Sequence, residues 1–274
     1  ETLEAKTSPL IYRVHDGPDA EKLDAARDYL ESIGYRLPKG QVIRAANFNG
    51  LLAQAREKDE AELAGEVVLR TQSQAVYAVE NIGHFGLNLR RYAHFTSPIR
   101  RYADLTVHRA LIRAEGLGDG GLTDGEIDEL KQTAEAISTY ERRAMAAERD
   151  SVDRFIAAYL QDRIGAEFDG RVSGVTRFGL FIKLDETGAD GLVPVRSLGL
   201  EYYEHDADRH ALIGETTGLG YRLGQRVRVR LEEAAPLTGG LRFEMLTEPA
   251  AVPGGKKRRA KTGDRKRRGR RRRG

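Results

Sequence analysis

The period of the apolar residues changes once along this chain, at Gly165, and that change does most to limit the fold. Up to Ile164 apolar residues recur at helical spacing; from Gly165 to about Glu248 they alternate in short runs separated by glycines. Helical spacing buries one stripe of a helix, and alternation buries one face of a strand. The chain is therefore expected to be α+β. A mostly helical part spans residues 1–160, a small all-β domain 165–248, and a tail 249–274.

In the helical part the spacing predicts helices at about Asp19–Ile33, 41–56 and 60–70, with Gly34 ending the first and Asn47 and Asp59 in or near the breaks. Ser73–Val79 reads as a strand. After the glycine-rich break at Leu117–Gly121, a long helix, either continuous or interrupted, runs from about Thr123 to Ile164. Ile127, Leu130, Ala134, Ile137, Ala144, Val152, Phe155 and Tyr159 give it one apolar face. The clusters Glu141-Arg142-Arg143 and Glu148-Arg149-Asp150 are expected on a solvated, salt-bridged face.

The all-β part offers five strands, Glu167–Val175, Phe178–Leu184, Gly191–Pro194, Arg226–Leu231 and Leu241–Leu246, as in an OB-fold barrel. Leu180, Ile182 and Leu184 share one face and Phe181 takes the other. Val227, Val229 and Leu231 alternate with Arg226, Arg228 and Arg230. Exposed aromatics with arginines suit a face for single-stranded nucleic acid, where bases stack and phosphates are neutralised. The alternative is an ordinary barrel whose arginines are only solvated.

The densest chemistry lies at Tyr92–Asp104. Ser97 suits an N-cap and Pro98 the first helical position, and Ile99, Ala103, Val107, Ala110, Leu111 and Ala114 then form a buried face. Arg100, Asp104 and His108 form a polar stripe on another face. A capped helix start carrying Arg100 and Arg101 would be a phosphate site; the competing reading pairs Arg100 with Asp104. Upstream, His84 and Phe85 are either a packed pair or part of the wall of an RNA channel.

Composition narrows the classes. There is no cysteine, so no disulfide, thiolate zinc site or cysteine nucleophile. No run of about 18 apolar residues exists for a membrane span. The six histidines show no metal-ligand spacing, and His205 and His210 read as structural. Asp16, Asp19 and Asp24 are spread over a turn and a helix, and Glu201, Glu204, Asp206 and Asp208 fall in an insert of the barrel, so no metal site is assigned. Residues 256–274 hold 13 of the 45 Lys and Arg and one of the 42 acids, so they carry +12 and the rest of the chain −9. Such a tail is expected to be disordered and to attract phosphates in a salt-sensitive way. The chain starts at Glu1 without a methionine, and is expected to be a piece of a longer protein.

Tyr77-Ala78-Val79-Glu80-Asn81-Ile82-Gly83-His84-Phe85-Gly86-Leu87, followed by Thr96-Ser97-Pro98-Ile99-Arg100-Arg101-Tyr102, resembles the C-terminal part of the RNB catalytic domain. That domain belongs to the processive bacterial exoribonucleases of the ribonuclease R and ribonuclease II family. Gly191-Leu192-Val193-Pro194-Val195-Arg196-Ser197-Leu198 is similar to the middle motif of the S1-type RNA-binding domain. That family usually has histidine where Pro194 stands, and aspartate and arginine where Leu237 and Gly239 stand, so no base contact is carried to those positions. The resemblance implies a 3′-to-5′ exoribonuclease that degrades single-stranded RNA to nucleoside 5′-monophosphates with Mg²⁺. Arg100 would contact the scissile phosphate. His84, Phe85, Arg101, Tyr102, Phe178 and Phe181, with Arg226, Arg228 and Arg230, would bind RNA, and Arg142 or Arg143 could flank its path. The family's metal-binding aspartates have no counterpart here, so the chain alone is expected to bind RNA without cutting it; the alternative is a non-catalytic RNA-binding protein or regulator. Structured RNA or the ribosome are further partners to consider. A cytoplasmic monomer without membrane contact is expected.

Overall fold

A computed structural model describes residues 1–58 and 60–252. Asp59 and most of the expected tail lie outside the described residues.

The chain opens with α1 (Thr2–Ala5), β1 (Tyr12–Val14), α2 (Ala20–Ser32), α3 (Ala45–Glu57), α4 (Ala61–Thr71) and β2 (Val76–Ala78). Asp19, near which the spacing starts this helix, caps α2 by accepting from the Lys22 N–H (3.0 Å). Asn47, expected near a break, instead sits inside α3, where its side chain accepts from the Arg44 N–H (2.8 Å). It ties down the start of that helix rather than interrupting it. Strands β1 and β2 pair antiparallel, Tyr12 opposite Ala78. Next come α5 (Tyr102–Glu115), α6 (Asp124–Asp128) and α7 (Leu130–Leu160). Thr123 and Glu126 cap α6 reciprocally, and the long helix is interrupted at Glu129.

Two apolar cores hold this part together. One joins α2, α3 and α4 through Leu23, Leu30, Phe48, Leu51, Leu63 and Val67. The other joins Ile11, Tyr77, Ala103, Val107 and Ala110 to Leu130 and Ala134 of α7. The apolar face expected along the whole of α7 is buried only in its first half. Ala144, Val152, Phe155 and Tyr159 are exposed, Phe155 to 77%. Beyond Ser138 the helix leaves one core and is not buried again until Ala157 and Leu160 reach the barrel. The expected salt-bridged face differs too: Glu141 pairs with Arg13 of β1 (2.6 Å), and the neighbouring charges of α7 form no ion pair among the described residues.

The barrel is closed by β3 (Glu167–Thr176), β4 (Gly179–Leu184), β5 (Asp190–Pro194), β9 (Arg226–Ala235) and β10 (Gly240–Met245), in the order β10-β5-β4-β3-β9. Leu180, Ile182, Leu184, Val227, Val229 and Leu231 face its core, as their alternation predicts. Between β5 and β9 runs a meander, β6 (Tyr203–Asp206), β7 (Ala211–Gly214) and β8 (Leu219–Arg222), extended by β11 (Ala250–Ala251). Helices and barrel share a core: Leu223, in the turn after β8, is buried among α2–α4. Gly224 follows at φ +76, where a Cβ would stand 2.6 Å from Leu63, so a glycine allows that approach.

Candidate nucleic-acid interface

The segment from Val79 to Arg101 wraps around β1. The Arg13 N–H donates to Tyr92 O (2.9 Å), His15 N–H to Gly83 O (3.0 Å) and Phe85 N–H to His15 O (2.8 Å). His84 and Leu89 exchange both backbone hydrogen bonds, folding Phe85–Asn88 into a tight turn with Asn88 at φ 54. This backbone pairing lines up rings from distant parts of the chain. His15 lies 5.0 Å from His84, His84 5.4 Å from Tyr92, Tyr92 5.7 Å from His94, and His94 5.5 Å from Tyr77. Phe85 touches His15 at one end of the row, and the Arg13 guanidinium lies over Tyr77 at the other.

Hydrogen bonds fix the imidazoles. His15 Nε2 donates to Ser73 O (2.7 Å) and its Nδ1 accepts from the Gly86 N–H (2.9 Å), so the ring carries its proton on Nε2. His84 Nδ1 accepts from the Leu87 N–H (3.2 Å). Burial, then the neighbouring His15, push the His84 pKa below its ordinary value. Burial, then Arg101 and Arg13, do the same to His94. His84 and Phe85 line an open cleft of about 650 Å³ together with Arg44, Asn81 and Arg90.

Arg100 and Arg101 part ways. The helix does not begin at Ser97. The Ser97 carbonyl accepts from the Arg100 and Arg101 N–H groups (3.2 and 3.1 Å), closing a turn, and Arg101 is the extended N-cap of α5. Asp104, expected on a polar stripe, is fully buried. It accepts from the Ser97 N–H (2.8 Å) and from Nε and Nη2 of Arg101 (2.9 and 2.8 Å). Arg100 does not pair with Asp104. Its exposed guanidinium makes no hydrogen bond or ion pair among the described residues. Ile99, expected on the buried face, is 97% exposed because it belongs to the turn and not to the helix. Tyr102 is half-exposed at the first turn of α5, and the third member of the expected stripe, His108, stacks on Phe95 (4.2 Å).

On the barrel, Phe178 is exposed and meets Phe181 edge to face (6.3 Å). Both are at β4, whereas Arg226, Arg228 and Arg230 are on β9, and β3 lies between the two strands. Glu167 pairs with Arg228 and Arg230 (3.0 and 3.2 Å), and Glu244 also takes Arg230 (2.8 Å). The aromatics and the arginines thus stand on strands separated by β3, with Arg228 and Arg230 already tied to acids.

Among the described residues no three of His, Cys, Asp and Glu stand together where they could hold a metal ion. The acids of the barrel insert have other work: Glu201 accepts from the Thr216 and Thr217 N–H groups (3.0 and 3.1 Å) and the Thr217 hydroxyl (2.7 Å). No described helix is long and apolar enough to cross a membrane.

Sequence reasoning missed His15, Tyr77, Tyr92 and His94. Tyr92 and His94 could have been suspected from their place beside the arginine motif. For His15, far from His84 in the chain, no local signal exists.

An exposed arginine on a turn before a helix, a row of rings and a closed five-stranded barrel are features suited to binding nucleic acid. The comparisons agree. Residues 1–115 match the RNB domain and residues 161–245 the S1 RNA binding domain. Ribonuclease R of Escherichia coli (strain K12) is 41% identical over 238 residues, which is 84% of this chain and 29% of the relative. Ribonuclease R of Aquifex aeolicus is 37% identical over 89% of this chain and 34% of the relative. The chain thus spans about a third of the length of these relatives. The apo form of Mycoplasma genitalium RNase R superposes with a TM-score of 0.81 at 28% identity, over 89% of this chain and 39% of that one. The chain belongs to the ribonuclease R family of RNB proteins.

Proposed function

We propose that this chain forms the RNA-holding part of a 3′-to-5′ exoribonuclease that releases nucleoside 5′-monophosphates. On this reading residues 1–160 supply one wall of the RNA path, residues 165–248 an RNA-binding barrel and residues 249–274 a basic tail. The observation that carries it is the presentation of Arg100: an exposed, unpaired guanidinium on a turn that the buried Asp104 holds in place. A cation there stabilises charge on a scissile phosphate without taking or giving a proton. His84, Phe85 and the row of rings behind them give bases a wall to stack on. Arg101 supports this site through Asp104 rather than touching RNA. Mycoplasma genitalium RNase R in complex with ribose methylated single-stranded RNA, 28% identical with a TM-score of 0.81, supports the RNA path. The complex of the same protein with double-stranded RNA supports structured RNA as a further ligand.

With no carboxylate cluster among the described residues, these residues alone bind RNA and leave it intact. A non-catalytic RNA-binding protein is the second reading; the yeast pseudonuclease Ssd1, 22% identical with a TM-score of 0.61, shares the fold alone. The test is incubation with 5′-labelled single-stranded RNA and Mg²⁺, read on native and denaturing gels. A shifted, full-length band is expected. Stepwise shortening from the 3′ end would show that a complete catalytic site is present. An unshifted band would remove the RNA-binding reading.

A further inference from the structure

A second cleft, of about 430 Å³, opens between α4 and the barrel. Glu66 and Arg70 line it from the helix, and Ser173, Thr176, Phe181 and Asp190 from the barrel. A β-bulge builds this wall: the β3–β4 register slips between Val172 and Gly174, leaving Ser173 as the extra residue. Bulges re-aim side chains beside functional sites. Here the Ser173 hydroxyl donates to Asp190 Oδ1 (2.6 Å) and the Ser173 carbonyl accepts from Arg70. Phe181 rests on Gly174, where a Cβ would stand 3.2 Å from its ring.

The charges select the occupant. The same Arg70 nitrogen also donates to Glu66 Oε1 (3.0 Å). One oxygen of Glu66 and one of Asp190 make no hydrogen bond among the described residues. Two carboxylates repel a phosphate and attract N–H donors. Lys183 faces the same side of β4 as Phe181, stands opposite Asp190 in the β4–β5 pair and forms no ion pair among the described residues, so a cation adjoins the cleft. This arrangement orders a nucleotide: base on Phe181, base edge toward the acids, phosphate toward Lys183. Among the four RNA bases only guanine offers two adjacent donor groups, N1–H and N2–H₂, on its Watson–Crick edge, and that edge is how splayed bases are read. A volume near 430 Å³ falls in the range of about 300–1,000 Å³ usual for small-ligand sites.

We propose that the cleft between α4 and the barrel is a guanine-selective nucleotide subsite, read by Glu66 and Asp190 with Phe181 as the stacking surface. The proposal rests on the RNA-binding reading given above and adds a base preference to it. The test measures binding of the full chain to an oligouridine of about 12 nucleotides and to equal-length strands carrying a single guanosine at successive positions. The ratio between strands of equal length cancels attraction by the basic tail. The best-placed guanosine is expected to tighten binding on the order of fivefold to tenfold. Glu66→Gln and Asp190→Asn keep an acceptor for Arg70 and for Ser173 but turn an NH₂ donor toward the base. Each should bring the ratio close to one while oligouridine binds as well or better, and Lys183→Ala should weaken all strands alike. Oligouridine binding with no guanosine preference, or a preference that survives both amide variants, overturns the subsite alone. If no strand binds, the RNA-binding reading falls and the subsite with it.

Discussion

The Arg101 guanidinium grips the Asp104 carboxylate with two parallel hydrogen bonds, of 2.9 and 2.8 Å, and that carboxylate is fully buried. The same carboxylate holds the Ser97 N–H, so one acid fixes both ends of the turn carrying Arg100. Burial pulls the Asp104 pKa up, but the Arg101 fork and the Ser97 N–H outweigh it and leave the pKa below its ordinary value. Asp104→Ala leaves a partly buried guanidinium and an N–H without their acceptor, and is expected to cost about 3 kcal/mol in denaturant unfolding. The pH dependence has a definite sign. A carboxyl with a depressed folded pKa contributes its stability above its unfolded pKa, about 3.9, and loses it as pH falls through the folded value. The variant should therefore lose less stability than the parent when both are taken from pH 5 into acid. An equal loss in both proteins would mean that Asp104 is not ionised in the fold.

Arg100 should behave in the opposite way. Being exposed and unpaired, it holds nothing in place, and Arg100→Ala should change stability by no more than about 0.5 kcal/mol. If it touches a phosphate, RNA affinity falls and the slope of log affinity against log salt drops by about one. An unchanged affinity and slope would remove Arg100 from the RNA path.

These two neighbours show where the sequence is legible. Local signals place a helix start near Asp19, the glycine-rich break at Leu117–Gly121 and the alternating residues of β4 and β9 in a barrel, because each depends on residues a few positions away. The partners of Asp104 are close in sequence too, yet helical spacing assigns them wrongly. A turn closed by the Ser97 carbonyl shifts the start of α5 to Tyr102, and the stripe expected from Arg100 to His108 never forms. The row of rings depends on β1 meeting the segment around His84, a long-range pairing that spacing cannot show. The bare half of α7 misleads for a related reason: apolar spacing marks a face able to be buried, not one that is covered.

The partly buried histidines predict a loss of stability on mild acidification. Burial lowers the pKa of His84, His94 and His210 in the fold. An unfolded histidine takes up its proton near pH 6.5, so the unfolded state binds protons first and stability falls as pH drops below that point. The denaturant midpoint should be lower at pH 5.5 than at pH 7.5. His84→Asn, whose side-chain oxygen can still accept from Leu87, should narrow that difference. His84 ring resonances that titrate at or above pH 6.5 would contradict the burial argument.

Leu223 tests whether helices and barrel unfold as one body. Its side chain is fully buried among α2, α3 and α4 although it belongs to the barrel's insert, and the Tyr29 hydroxyl donates to its carbonyl (3.4 Å). Leu223→Ala removes apolar contacts from a shared core without touching either RNA cleft, at an expected cost of about 3 kcal/mol. The main consequence is for cooperativity. With the shared core weakened, the barrel keeps its own closed hydrogen bonding while α2–α4 lose a buried partner. Helical signal at 222 nm and a fluorophore on the barrel should then report different denaturant midpoints in the variant and a common one in the parent. Coincident transitions in both proteins, with the full loss of stability, would show that Arg70 and the backbone contacts across the junction suffice to couple the two parts.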